Sequence, residues 1–144
     1  MDNLDLLNTS IAENQNDFDS MLPLYYQFKY NDLPFDCQIV HHENKQSYIL
    51  NLTAKIGYLP YSAENQPLRE KIINNLSNLI RLGVIVMDHH CNMTFPIKTI
   101  IKDEINANKL METITYTLLD VQEVLTIILE TMQVSKITSQ KYRT

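Results

Sequence analysis

The stretch that decides the fold is residues 24–57, which read LYYQFKYNDLPFDCQIVHHENKQSYILNLTAKIG. Apolar and polar side chains alternate over Leu24–Tyr30, over Phe35–Val40 and again from Tyr48, and this period of two is typical of a half-buried strand. Short polar turns separate the three runs. Such short connections join antiparallel strands, because a parallel crossover needs about a dozen residues or more. The stretch therefore predicts a three-stranded antiparallel meander.

A helix is predicted downstream of the meander, between Pro67 and Ile80. Apolar residues recur at helical spacing from Leu68 to Ile80, while asparagines occupy the opposite side. Pro67 is tolerated in a first helical turn, where its missing N–H would have no partner in any case. Gly83 follows the last periodic residue, at the position of a left-handed cap. Both ends of this helix are therefore marked in the sequence.

Two further strands are predicted after Gly83. Val84–Met87 is short and β-branched, which favours a strand over a helix, and Thr94–Lys102 follows after the polar turn of Asp88–Asn92. Pro96 cannot donate a backbone hydrogen bond to a neighbouring strand. We therefore expect the strand that contains Pro96 to lie at a sheet edge or to carry a bulge there.

The clearest apolar pattern lies near the C terminus and predicts one long amphipathic helix, because its members are three or four residues apart. These residues are Leu110, Ile114, Leu118, Val121, Leu125, Ile128 and Met132. Residues 1–20 carry a sparser stripe of the same kind and predict a first helix. Residues 134–144 are polar, and we expect them to form a flexible tail.

The predicted order of elements is helix, three strands, helix, two strands, helix (α-β-β-β-α-β-β-α). Helices that cover a mostly antiparallel sheet in this way make an α+β fold. The chain has 144 residues, the length of one ordinary domain, and it contains no repeat, low-complexity tract or linker. We therefore expect a single domain over residues 1–133, followed by the tail.

The composition argues against several classes of function. Gly57 and Gly83 are the two glycines and stand alone, so they cannot form the glycine-rich loops that hold phosphates. A net charge of −5 without a cluster of Lys and Arg argues against nucleic acid as the partner. No apolar run is long enough for a membrane span, and the first residues are acidic where a signal peptide would be basic. With two cysteines, the chain fits a reduced cytoplasmic protein.

Residues 75–88, NLSNLIRLGVIVMD, lead from the second predicted helix into the predicted hairpin. This segment and the element order over residues 3–133 resemble the YbjN-like proteins, which share the fold of the type III secretion chaperones. The hairpin turn of this chain, residues 89–93, lacks the glycine that such relatives usually place there. The resemblance implies a small, acidic, usually dimeric binding protein without known catalysis, and it transfers no catalytic residue and no cofactor.

Histidines and cysteines offer the ligand types that zinc prefers. One group lies in the predicted hairpin turn and the other at the end of the second strand. The groups are His89, His90 and Cys91, and Cys37, His41 and His42. Neither has CxxC or HxxxH spacing, and adjacent histidines point to opposite faces of a strand. We expect surface histidines and one buried thiol, and the turn stays a weak candidate for a metal site or a thiol enzyme.

Asp88–Cys91 also spells DHHC, the four letters of the protein S-acyltransferase signature. The chain is similar to those enzymes in these letters alone. They need several membrane spans and a zinc-binding region rich in cysteine and histidine, and this chain has two cysteines and no predicted span. A polar hairpin turn is the better interpretation.

Candidates for partner contacts come from tyrosines and from apolar residues outside the predicted core. We expect Tyr26 and Phe28 in the core, whereas Tyr25 and Tyr30 are candidates because tyrosine joins a large apolar body to a polar tip. A second set lies off the apolar stripe of the C-terminal helix and widens its apolar surface. This set is Met111, Leu119 and Ile127. It predicts a dimer contact or a groove for a partner segment.

Taken together, these patterns predict a non-enzymatic, homodimeric binding module, chaperone-like or adaptor, without a cofactor. A partner segment would lie in apolar grooves between helices and sheet, or would add a strand at the exposed edge near Pro96. The acidic charge would favour basic partners. Two alternatives stay open: a regulatory domain that binds a folded protein or a small ligand, and a metal-dependent or thiol enzyme that uses the His/Cys turn.

Overall fold

The structure is a computed structural model that describes residues 20–43, 47–102 and 104–143, with side chains up to residue 132. Its strands are β1 Leu24–Tyr30, β2 Leu33–His41, β3 Tyr48–Tyr58, β4 Val86–Met87 and β5 Asn92–Ile101. Its helices are α1 Gln66–Arg81, α2 Ala107–Asp120 and α3 Gln122–Arg143. The predicted α+β class is confirmed, and so is the predicted order of elements from β1 onwards, with the last helix divided in two. The helix predicted over residues 1–20 lies outside the described residues, apart from its last residue.

The strands form one open antiparallel sheet in the order β1-β2-β3-β5-β4. The predicted meander is confirmed, because β2 pairs antiparallel with both β1 and β3. The register places Cys37 between Tyr26 and Leu52. Alternate residues of these strands are buried, or half-buried in most of β1, so one face of the sheet belongs to the core and the other carries polar side chains.

Helix α1 begins and ends where the sequence predicts. Asn65 caps its N terminus, with Oδ1 accepting a hydrogen bond from the backbone N–H of Leu68 at 3.2 Å. Pro67 stands in the first turn. Gly83 has a φ of 80°, a left-handed conformation that glycine adopts without steric cost.

Strand β4 is shorter than the sequence predicts. Val84 and Ile85 both donate their backbone N–H to the carbonyl of Leu79 in α1. These two bonds hold the residues against the end of the helix, so they do not extend the strand. Only Val86 and Met87 pair with β5.

The predicted C-terminal helix is divided at Val121, whose φ of −106° and ψ of 18° lie outside the helical range. Thr113 and Thr115 precede the break, and each donates its hydroxyl to the carbonyl four residues earlier. Such bonds often bend a helix, and β-branched residues are weak helix formers. The apolar stripe is nevertheless buried on both sides of the break. Its buried members are Leu110, Ile114, Leu118, Leu125 and Ile128.

Helix α3 extends to Arg143, through most of the segment for which the sequence predicts a flexible tail. Flexibility of that segment stays a prediction. None of the helices in the described ranges is both long and apolar enough to cross a membrane.

The described residues group into two compact units, each built from two stretches of the chain. The first contains the described residues up to Ala54 together with Ile97–Val121, and in it Phe28 stacks on Phe35 with ring centroids 5.1 Å apart. The second contains Lys55–Pro96 and the chain from Gln122 on, including α1 and α3. The sequence predicts a single domain, that is, one unit that folds independently. The grouping into two compact units does not test independent folding, so the single domain stays a prediction.

Candidate functional site

Strand β5 has a neighbour on the β4 side for only part of its length. Met87 lies opposite Met93 and Val86 opposite Thr94, and β4 begins at Val86. Beyond Thr94, no strand in the described ranges lies alongside β5 on that side. The prediction that the strand with Pro96 lies at a sheet edge or carries a bulge there is wrong, because β5 lies between β3 and β4 and its alternation of burial runs through Pro96. The proline is tolerated because it lies beyond the last β5 residue that pairs with β4.

We call residues 97–101 of β5 the free edge. Asp88 donates its N–H to the carbonyl of Asn92 at 3.0 Å, so Asn92 directs its backbone groups towards the β4 side. Successive strand residues direct their N–H and C=O groups alternately to the two sides. The alternation of burial along β5 continues past Pro96 without a change of phase. Lys98 and Ile100 therefore direct their backbone groups to the free edge, and Ile97 and Thr99 direct theirs towards β3.

A groove of about 400 Å³ lies between the free edge and α2. Ile97, Lys98 and Thr99 line its strand side. The hydroxyl oxygens of Thr99 and Thr117 are 3.2 Å apart, which fixes the distance between strand and helix there. Residues at helical spacing line the other side, among them Lys109, Glu112, Thr113, Tyr116 and Asp120.

Tyr116 is the largest exposed side chain of this groove, with 60% of its surface exposed. Glu112 precedes it by four residues and Asp120 follows it by four, and both are exposed. Because residues four apart lie on the same face of a helix, the ring has a carboxylate one turn away on each side. Asp120 is also the last residue of α2, where the helix dipole is negative. This part of the groove is therefore suited to a cation with an apolar stem.

A second groove, of about 700 Å³, is lined by residues of β1, β2 and β3. Tyr25 accepts a hydrogen bond at Oη from Gln38 Nε2 at 3.2 Å, and Gln38 Oε1 accepts one from Asn51 Nδ2 at 3.1 Å. In the next row, Gln27 Nε2 donates to Asp36 Oδ1 at 3.0 Å. The polar side chains of this groove form hydrogen bonds with one another, as on a solvated sheet face. We therefore place the candidate site at the free edge.

The residues predicted for partner contacts occupy different environments. Tyr25 is 67% exposed on the polar face of the sheet, and Tyr30, the last residue of β1, is half-buried. Leu119 on α2 is 59% exposed, and Met111 on the same helix is half-buried. Ile127 is exposed on α3, so the break at Val121 separates it from the other two along the chain. The three do not lie on one continuous helix.

The turn with the candidate metal ligands is organised by Asp88. Its Oδ1 accepts hydrogen bonds from the backbone N–H groups of Asn92 at 2.9 Å and His90 at 2.8 Å. The bond from Asn92, with that from His90, lowers the pKa of the Asp88 carboxyl. Cys91 has a φ of 64° and takes the left-handed conformation for which glycine is usual. The carboxylate at position 88 is therefore accounted for by its bonds to the backbone of the turn.

The chemistry available to the predicted metal and thiol residues is limited by their positions. The rings of His89 and His90 lie with centroids 4.0 Å apart, and no group of three or more His, Cys, Asp or Glu side chains among the described residues is arranged to hold a metal ion. Cys37 is buried, and burial raises the pKa of its thiol to about 12. A thiol in this state is a poor nucleophile at neutral pH. The ring of His41 packs near that of Tyr48, at 5.5 Å.

The sequence signals only part of the site. Pro96 favours an edge strand, whereas β5 is an inner strand that β4 covers only as far as Thr94. Tyr116, Glu112 and Asp120 were not singled out, although their spacing of four residues, off the apolar stripe, was a readable signal for one helix face. The length of the free edge could not be predicted from the sequence. It depends on two hydrogen bonds that hold Val84 and Ile85 to α1 and so keep β4 short.

No model of a known protein family matches the chain, and no curated protein matches it. The resemblance to YbjN-like proteins stays a prediction.

Proposed function

We propose that this protein is a non-enzymatic binding module of the cytoplasm that takes up an extended segment of a partner protein as an added strand on the free edge. One observation carries the proposal. Lys98 and Ile100 direct backbone donors and acceptors to a side of β5 on which no described strand lies, beside an open groove. An added strand would satisfy these groups, and its alternate side chains would reach the groove.

The residues around the free edge restrict which strands can pair with it. An exposed edge invites indiscriminate pairing, and proteins limit this with prolines and charged side chains. Pro96 has no backbone N–H and lies directly before the free edge, so it limits strand pairing at that end. Lys98 places an exposed charge within the free edge. The edge is thus protected against unselected strands, while Lys98 and Ile100 keep the backbone groups that a matching strand needs.

The affinity expected from this surface is modest. Lys98 and Ile100 offer up to four backbone hydrogen bonds, each with a net contribution of about 1 kcal/mol. Side chains in the groove add to this, and the cost of association subtracts from it. We expect dissociation constants on the order of 10–100 μM for a short peptide.

Two further proposals accompany this one. We propose that the protein is a homodimer, for which the exposed Leu119 offers an apolar contact. We also propose kinship with the YbjN-like proteins, which rests on the resemblance of residues 75–88 and of the predicted element order.

The proposal is tested with a phage-displayed library of random nine-residue peptides and two variants of Ile100. Ile100→Pro removes the N–H that faces the free edge, and Ile100→Thr keeps it while shortening the exposed side chain. We expect selected peptides to bind the wild-type protein and Ile100→Thr with similar affinity, and Ile100→Pro at least about tenfold more weakly, since a backbone bond is lost and the proline ring obstructs pairing.

Circular dichroism of the variants checks that each is folded. Peptides that bind Ile100→Pro as well as the wild-type protein would contradict strand addition at the free edge. Failure to select any peptide that depends on the Ile100 N–H would contradict it too.

A further inference from the structure

We infer that the segment bound at the free edge presents an Arg or Lys side chain to the groove, between the carboxylates of Glu112 and Asp120 and against the ring of Tyr116. The inference rests on the proposed strand addition and names the chemistry of the partner at that site.

The strand geometry decides which residue of the partner enters the groove. In an antiparallel pair, residues directly opposite each other point to the same face of the sheet. Thr99 points to the face that carries α2, as its hydroxyl contact with Thr117 shows. A partner residue opposite Thr99 therefore points to that face as well, on the open side of β5, where the groove lies. Partner residues opposite Lys98 and Ile100 point to the other face.

The lining of the groove decides the charge of that residue. Tyr116 offers a largely exposed ring, and Glu112 and Asp120 place an exposed carboxylate one turn before and one turn after it. The stem of an Arg or Lys covers apolar surface while its head stays near opposite charge, and the face of a tyrosine attracts a cation. The C-terminal end of α2 adds the negative end of its dipole.

The lysines of the groove do not cancel this preference. Lys98 alternates with Ile97 and Thr99 along β5, so its side chain belongs to the opposite face of the sheet. Lys109 precedes Glu112 by three residues and is half-buried, so it offsets the charge of Glu112 but lies at the end of α2 far from Asp120. The net charge of −5 on the whole chain also steers a cationic segment towards the protein.

The test uses three fluorescein-labelled nine-residue peptides that differ at every second position. These positions hold Arg in the first peptide, Gln in the second and Glu in the third, and Val or Thr fills the positions between them. A fourth peptide has the same arginines but carries Pro at two of the positions between them, so it keeps the charge and loses the ability to pair as a strand. Fluorescence anisotropy at 50 mM salt measures each affinity. We expect the Arg peptide to bind about tenfold more tightly than the Gln peptide, and the Glu peptide to bind least.

Variants locate the effect at the groove. We expect Tyr116→Leu and Asp120→Asn each to reduce the preference for Arg over Gln to about threefold or less. Tyr61→Leu is the matched control, because Tyr61 is 71% exposed and lies in the other unit, so it leaves the preference unchanged.

The outcomes separate this inference from the proposal on which it rests. If the Arg, Gln and Glu peptides bind equally and Ile100→Pro abolishes all three, strand addition stands and the inferred charge is wrong. If the proline-containing Arg peptide binds as well as the alternating one, the attraction is unspecific and the inference is overturned. If none of the four peptides binds, the proposed function itself is contradicted.

Discussion

At the scale of single residues, Cys91 holds a backbone conformation that L residues adopt at a cost. Its φ of 64° closes the turn between β4 and β5, and glycine would adopt this conformation without steric penalty. We expect Cys91→Gly to raise the free energy of unfolding by about 0.5–1 kcal/mol, after subtraction of the larger entropy of glycine in the unfolded chain. Urea denaturation measures the change. Cys91→Ala, which keeps the penalty, is the control, and an equal gain in that variant would contradict this explanation.

Asp88 in the same turn gives a pH-dependent prediction. The bonds from the backbone N–H groups of Asn92 and His90 lower the pKa of its carboxyl below the ordinary value of 3.8. A carboxyl whose pKa is lower in the folded state stabilises the fold above the unfolded-state pKa, and this contribution is lost as the pH falls through the folded-state pKa. We expect the urea midpoint of the wild-type protein to exceed that of Asp88→Asn at pH 6, and the gap to shrink as the pH falls from 4 towards 2.

The control for this experiment is Asp32→Asn, in the exposed turn between β1 and β2. The side chain of Asp32 is exposed, so we expect its substitution to leave the pH profile unchanged. A gap between the wild-type protein and Asp88→Asn that is constant from pH 6 to pH 2 would contradict the role given to the Asp88 carboxylate.

At the scale of elements, α2 separates buried from exposed leucines within one helix. Leu110 is fully buried, whereas Leu119 is 59% exposed. We expect Leu110→Ala to lower the free energy of unfolding by about 2–5 kcal/mol, because it leaves a cavity in the core. The matched variant Leu119→Ala should change it by about 0.5 kcal/mol or less. Chemical denaturation of both variants at a protein concentration low enough to dissociate the proposed dimer checks this, and equal losses would contradict the orientation of α2.

Strand β5 offers a second matched pair, at adjacent residues. Thr99 directs its N–H towards β3, so Thr99→Pro removes a bond of the sheet and we expect it to cost about 2–3 kcal/mol of stability. Ile100 directs its N–H to the free edge, and we expect Ile100→Pro to cost about 1 kcal/mol or less. Thermal denaturation of the two variants measures the difference. Similar losses in both would contradict the assignment of the free edge.

The elements also show how far sequence reasoning reaches. Local patterns predicted β1, β2, β3 and α1 because strand alternation, proline and glycine act within a few residues. The division of the C-terminal helix at Val121 was not predicted, since the apolar stripe continues across it and neither proline nor glycine lies near it in the sequence. The short β4 was missed for a similar reason, because Leu79 accepts two bonds from residues that read as strand.

At the scale of the whole molecule, the proposed homodimer predicts a mass of twice 16.8 kDa. Native mass spectrometry of the untagged protein, purified without chelators, measures this mass and any bound metal together. We expect a metal-free dimer, and we expect Leu119→Glu to shift it towards monomer, since a two-fold contact repeats every substitution on both copies. A monomeric wild-type protein would contradict the dimer, and a stoichiometric metal ion would return attention to His89, His90 and Cys91.

The most direct test of the central claim, that an extended segment adds to the free edge of β5, is amide hydrogen exchange at single residues by NMR. In the free protein we predict that the amides of Lys98 and Ile100 exchange at least about tenfold faster than those of Ile97 and Thr99, which face β3. Saturation with the alternating Arg peptide should slow Lys98 and Ile100 by about tenfold or more and leave Thr99 unchanged. Lys98 and Ile100 amides that are already as protected as Thr99 without peptide, or that the bound peptide does not slow, would contradict the account.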